Sequence, residues 1–118
     1  MPVQGALEKI KNSVTKWKDI TSHQHRFGGI EFRLDKREIG HIHGNYLVDI
    51  PFTKKIKNEI LSAGLASLHH VLPESGWISK YLKEPGDVDT AIELLKRSYE
   101  SALKQKSKRI LNNSIIIK

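Results

Sequence analysis

The chain has 118 residues, six of them histidine, and 20 Lys and Arg against 13 Asp and Glu for a formal net charge of +7. That length makes one domain with interior enough for a hydrophobic core. With no cysteine, disulfides, thiolate zinc sites and thiol nucleophiles are excluded. No stretch reaches the roughly 20 apolar residues that span a bilayer.

Leu7, Ile10, Val14 and Trp17 recur at three- and four-residue steps, so residues 4–19 read as an amphipathic helix. This segment alternates charge with apolar residues, unlike a signal peptide, and the expectation is a soluble, cytoplasmic protein with no membrane partner. Residues 21–29 are polar and end in Gly28-Gly29, which suits a loop. Ile30, Phe32 and Leu34 then alternate with Glu31, Arg33 and Asp35 as in a half-buried strand. A turn near residues 35–37 leads into a second strand through His43. Gly44-Asn45 reads as a two-residue hairpin turn, and Tyr46 to Phe52 as the third strand.

Thr53 suits the N-cap of the next helix and Gly64 its stop. Leu68 to Leu72 reads as a fourth strand, Pro73-Glu74-Ser75-Gly76 as a turn, and Trp77 to Leu82 as a fifth strand. Pro85 and Asp87 open a last helix whose Val88, Ala91, Ile92, Leu95, Tyr99 and Ala102 form one stripe. The order αβββαββα predicts an α+β two-layer sandwich, an antiparallel sheet with helices packed on one side. Lys104, Lys106, Lys108, Arg109 and Lys118 supply five of the seven excess charges. Residues 1–103 therefore read as a single domain and 104–118 as a basic tail, solvated and frayed. Such a tail suits nucleic acid as a partner, through counterion release. Ile115 to Ile117 fit an edge strand or a contact with a partner molecule.

The histidines fall in three close pairs: His23/His25, His41/His43 and His69/His70. Three segments, Gly28-Gly29-Ile30-Glu31-Phe32-Arg33, Arg37-Glu38-Ile39-Gly40-His41-Ile42-His43-Gly44 and Val48-Asp49-Ile50-Pro51-Phe52, together with His69-His70-Val71-Leu72-Pro73-Glu74-Ser75-Gly76-Trp77, resemble the luciferase-domain family over residues 26–100. The His-Ile-His-Gly and His-His-Val-Leu-Pro motifs are the specific part. The family is named after fungal luciferases, which oxygenate a hydroxylated polyketide pyrone without a known metal or flavin, whereas most members are small prokaryotic proteins of unknown function. The resemblance thus implies metal-free, oxygenase-like chemistry with no cofactor favoured. The element order is also similar to that of double-wing proteins of the YjbR type, some of which are thought to contact DNA.

His41 and His43 are two apart on a strand and share a face. The two-residue turn sets His43 opposite Tyr46 and His41 opposite Val48, leaving Asp49 on the other face. His69 and His70, adjacent on a strand, point to opposite faces, so at most one joins the first pair. Neutral histidine is a general base near its own pKa, which makes His41 and His43 candidate catalytic residues. Arg33, Tyr46, His69, His70, Trp77, Ser79 and Tyr81 supply the polar groups and aromatic walls of a small-molecule pocket. A metal is the alternative use: His41, His43 and one of His69 or His70 match a three-histidine site with an open position. His23 and His25 read as solvated loop residues, and Glu31, Arg33 and Asp35 most simply as the exposed side of a strand. Ser75 lies in a turn rather than a nucleophile elbow. The sequence leaves open whether the protein is an enzyme.

Overall fold

The computed structural model describes residues 2–25 and 28–117, which form α1 (Ala6–Val14), β1 (Ile20–Gln24), β2 (Ile30–Leu34), β3 (Arg37–His43), β4 (Leu47–Pro51), α2 (Lys54–Ser62), β5 (Ser67–Leu68), β6 (Trp77–Tyr81) and α3 (Pro85–Ile117). The strands make one antiparallel sheet in the order β1-β2-β3-β4-β6-β5. Helix α3 lies across β2, β3, β4 and β6, and α1 packs on α3. This is the α+β two-layer sandwich that the alternation of periods predicts. Among the described residues no helix is long and apolar enough to cross a membrane.

The helix-covered face takes the strands' apolar residues. Phe32, Leu34, Ile39, Ile42, Val48, Ile50 and Ile78 are buried there with Ile10 and Val14 of α1 and Val88, Ala91, Leu95 and Ala102 of α3. Thr53 caps α2 by accepting the Ile56 N–H at 3.2 Å. Gly64 ends that helix with φ +72°, the left-handed conformation only glycine adopts freely. Tyr99 ties α3 to the loop between α1 and β1 by donating to the Lys18 carbonyl at 2.9 Å.

Three local differences from the sequence reading matter. The segment expected as a loop opens with β1, whose Ile20 to Gln24 pair with Leu34 to Ile30. Its Thr21 to Gln24 are exposed, so an edge strand carries polar side chains and gives no apolar alternation. The β3–β4 connection has three residues, because His43 pairs with Leu47, Ile42 with Val48 and His41 with Asp49. Within that turn Asn45 holds α1: its Oδ1 accepts the Leu7 N–H at 2.8 Å and its carbonyl the Val3 N–H at 3.0 Å. This one-residue slip moves Asp49 onto the face of His41 and His43. Finally, β5 stops at Leu68, and His69 and His70 lie in a bend.

A bulge in β3 adds to this rearrangement. Phe32 pairs with Gly40 but Arg33 with Glu38, so Ile39 is the extra residue. Ile39 is buried in the core, and Glu38 is turned to the side of His41. Beyond Ala102 the 33-residue α3 runs past the core, and residues 104–117, read from sequence as a tail, continue it as helix. Ile115 to Ile117 are therefore helical rather than an edge strand. Lys106 pairs with Asp35 at 3.0 Å and lies 3.8 Å from Asp19. Lys118 of the expected tail lies outside the described residues.

Gly40 leaves room for the Leu95 side chain of α3 against the sheet. A Cβ there would sit 2.5 Å from Leu95 Cδ2 and 3.0 Å from the Asp49 carbonyl, at φ +153°. Gly40→Ala forces the buried Leu95 side chain to move and strains the backbone, and is expected to cost about 2 kcal/mol, read as a lower midpoint in urea unfolding.

Candidate functional site

The sheet face away from α3 carries the alternate residues of the same strands. Glu31 opposes His41, His41 opposes Asp49, and Asp49 opposes Ser79, a row of directly facing side chains across β2, β3, β4 and β6. Asp49 is the centre. It is 1% exposed, and four imidazole nitrogens surround its Oδ2: His41 Nε2 at 3.2 Å, His43 Nε2 at 3.1 Å, His70 Nε2 at 3.1 Å and His69 Nε2 at 3.5 Å. Its Oδ1 accepts the Ser79 hydroxyl at 2.7 Å. Ser79 Oγ in turn accepts the His70 N–H at 3.4 Å, so one chain of bonds joins β4, β6 and the bend.

Each imidazole is held differently. His41 Nδ1 donates to Glu38 Oε2 at 2.5 Å while its Nε2 faces Asp49. Both nitrogens meet carboxylates. Against the cost of burial, Asp49 and Glu38 raise the His41 pKa to about 9. Burial lowers the pKa of His43 and of His69, which favours the neutral ring in both. In His69, Nδ1 accepts the N–H groups of Val71 and Leu72 at 3.1 and 2.9 Å. The proton of neutral His69 therefore sits on Nε2, directed at Asp49. Burial opposes ionisation of Asp49, but bonds from His41, Ser79 and His70 hold its pKa well below the carboxylate range.

Around this centre lies a cavity of about 750 Å³. Arg33, His41, His43, His69, His70 and Trp77, all candidates from sequence, line it. Ser79 lies beneath, bonded to Asp49. Tyr46 and Tyr81 do not line the cavity: Tyr46 is half exposed, its ring 6.4 Å from that of His43, and Tyr81 is also exposed. His69 and His70 both reach Asp49, against the expectation that only one could, because a bend frees them from strand alternation. His25 is no solvated loop residue; it stacks on His41 with ring centroids 4.1 Å apart. Glu31 and Arg33 form an ion pair inside the cavity rather than on a bare strand face. His23 does stay on the exposed edge, bonded to Thr21.

Asp49, Glu38, His25 and Glu31 are the site residues missing from the sequence reading. Asp49 had one signal, a lone acid inside the apolar run Leu47-Val48-Asp49-Ile50, where a strand buried on both faces tolerates a carboxylate only with partners. Glu38 had none, since the bulge that turns it is not written in any residue pattern. Lys57 likewise carries no signal in the sequence. This α2 lysine is buried and donates to the carbonyls of Pro73 and Ser75, each at 2.7 Å. It clips down the loop that presents His69 and His70. Lys57→Met should leave both carbonyls without a donor and cost about 2–3 kcal/mol. The check is denaturant unfolding, with the His69 and His70 imidazole NMR signals shifted more than those of His41.

A family model described as Luciferase domain matches residues 36–98, more than half of the chain. No curated protein matches. No solved structure matches. The matched stretch contains Glu38, His41, His43, Asp49, His69, His70 and Ser79, and leaves out His25, Glu31 and Arg33.

Proposed function

The chain belongs to the luciferase-domain family, and we propose that its open sheet face binds a divalent transition-metal ion on His41, His43 and Asp49, under a cavity for a small organic molecule. The carrying observation is that donor atoms of His41, His43 and Asp49 all lie within 4.8 Å of one another, with the two Nε2 atoms 3.2 and 3.1 Å from the buried carboxylate oxygen. Ligands held about 2.1 Å from one metal lie about 3.0–3.4 Å apart, depending on coordination number. Hydrogen bonding alone uses this arrangement poorly. A carboxylate oxygen offers about two lone pairs, yet Oδ2 faces four nitrogens. Imidazole and carboxylate together suit zinc, iron, copper, nickel or manganese.

Two further features support the reading. Glu38 on His41 Nδ1 is the carboxylate–histidine pairing that orients a ligating ring and raises its basicity. His69 is excluded as a ligand by the two backbone N–H groups on its Nδ1, which leave its Nε2 a donor to Asp49. The metal would supply Lewis acidity or oxygen chemistry to a bound molecule. The chain's own groups would seat that molecule: Trp77 and the His25–His41 stack as walls, Val71 and Leu72 as an apolar rim. This departs from the metal-free chemistry that the namesake luciferases suggest, and it rests on the donor set.

Elemental analysis of tag-free protein should find about one transition metal per chain. Chelation should lower the Tm, and restoring metal at about a thousand times Kd should return about 4 kcal/mol. His43→Ala should lose the metal while His23→Ala keeps it. Protein that carries no metal and shows no thermal shift with zinc, nickel, iron(II), copper(II) or manganese would overturn the proposal and leave the imidazoles as bases around an organic ligand.

A further inference from the structure

We propose that a groove on the helix side of the sheet, across the molecule from the histidines, binds the phosphate backbone of a nucleic acid. A cavity of about 660 Å³ opens between the β2–β3 hairpin and the far half of α3, walled by Lys36 and Arg37 on one side and Lys108 and Arg109 on the other. Past Arg37 a smaller hollow of about 180 Å³ continues it, with Lys104 and Lys108 facing Thr53. The sequence placed a basic stretch here; the fold adds Lys36 and Arg37 from the hairpin and makes the surface concave.

The charges are unspent. Among the described residues, none of Lys36, Arg37, Lys104, Lys108 and Arg109 has a carboxylate within 4.0 Å. Asp35, the one acid in the larger cavity, is taken by Lys106 at 3.0 Å. Five cations of one sign, gathered without counter-charge, raise the local potential and favour a polyanion. The Arg37 guanidinium donates to the Gln105 side chain, which ties the hairpin to the helix and fixes the groove's floor.

Shape selects the partner. Lys104, Lys108 and Asn112 follow each other at four-residue steps, a row about 12 Å long on one face of α3. That row spans several phosphates at 3.4 Å per base pair on one strand. Exposed Ile110 lies on the opposite side of the helix, whereas exposed Leu111, three residues beyond Lys108, lies beside the row, so an anionic lipid surface is the competing partner that the vesicle arm of the test separates. Among the described residues the larger cavity has no aromatic side chain to stack on bases, so contact is with the backbone and independent of sequence.

Fluorescence anisotropy with a labelled DNA duplex and a labelled single strand, across a salt series, tests this. Binding is expected at low salt, with log K falling against log salt at a slope of about −4.5 for five contacts on duplex. The double variant Lys108→Gln, Arg109→Gln changes exposed residues only, so its Tm should hold while the slope falls by about 2. His43→Ala should bind as wild type, which separates this site from the metal proposal. No binding at low salt, a double variant that binds like wild type, or capture by anionic vesicles but not by nucleic acid would each overturn the inference.

Discussion

A carboxylate at 1% exposure in the middle of a sheet, with four imidazoles turned towards one of its oxygens, is the arrangement on which the rest depends. Removing an ion from water costs several kcal/mol even after the protein relaxes. Asp49 recovers this through Ser79 on Oδ1 and the His41 ring on Oδ2, bonds to a charged group worth about 1.5–3 kcal/mol each. His41 in turn needs Glu38, and Glu38 reaches it only because Ile39 bulges from β3. His70 needs the bend that Lys57 clips from below. Each device is costly alone and stabilising in company, as buried polar networks are when every member is satisfied. Among the described residues no buried side-chain polar atom lacks a partner.

The sheet divides its labour by face. One set of alternate residues meets α3 and supplies cohesion through Ile, Leu, Val and Phe. The other set meets the cavity and supplies chemistry through His, Asp, Glu and Ser. Strands β3 and β4 are buried along most of their length on both faces, although the open face has no helix over it. The cover there comes from neighbouring imidazoles, the Trp77 ring and the loop carrying His69 and His70. Polar side chains packed this way exclude water from Asp49 nearly as well as a hydrophobic layer would.

Much of the fold was legible because its signals are local. Helix periodicity at Ile10 and Val14, the Thr53 cap, the Gly64 stop and the alternation of Ile30, Phe32 and Leu34 each depend on a few neighbouring residues. The site was legible only in its residue types. His41, His43, His69, His70, Trp77 and Ser79 stood out as unusual, but their meeting point depended on registers the sequence does not print. Gly44-Asn45 is a sound two-residue turn on local grounds. Asn45 is instead spent on the Leu7 N–H, a contact 38 residues away, and the slip it imposes carries Asp49 to the histidine face. The polar edge strand β1 failed for the converse reason, since a strand that buries little shows no alternation. The basic end of the chain read as a tail because its cations looked unpartnered in sequence, whereas Lys106 meets Asp35 across the hairpin.

The site's construction also says where it opens. His41, His43 and Asp49 stand on paired strands, whose positions are fixed by ladder hydrogen bonds on both sides. His70 stands on a bend, and its side chain is 37% exposed against 10% for His41 and 17% for His43. Beyond it Val71 and Leu72, 66% and 51% exposed, form an apolar lip. The donors a ligand meets last are thus rigid, and the donor it meets first is the one whose backbone is held only by Lys57, Ser79 and the turn over His69. A mouth built this way admits an apolar molecule past the lip and sets its polar end against fixed nitrogens, so selectivity at entry and precision at the centre come from different parts of the chain.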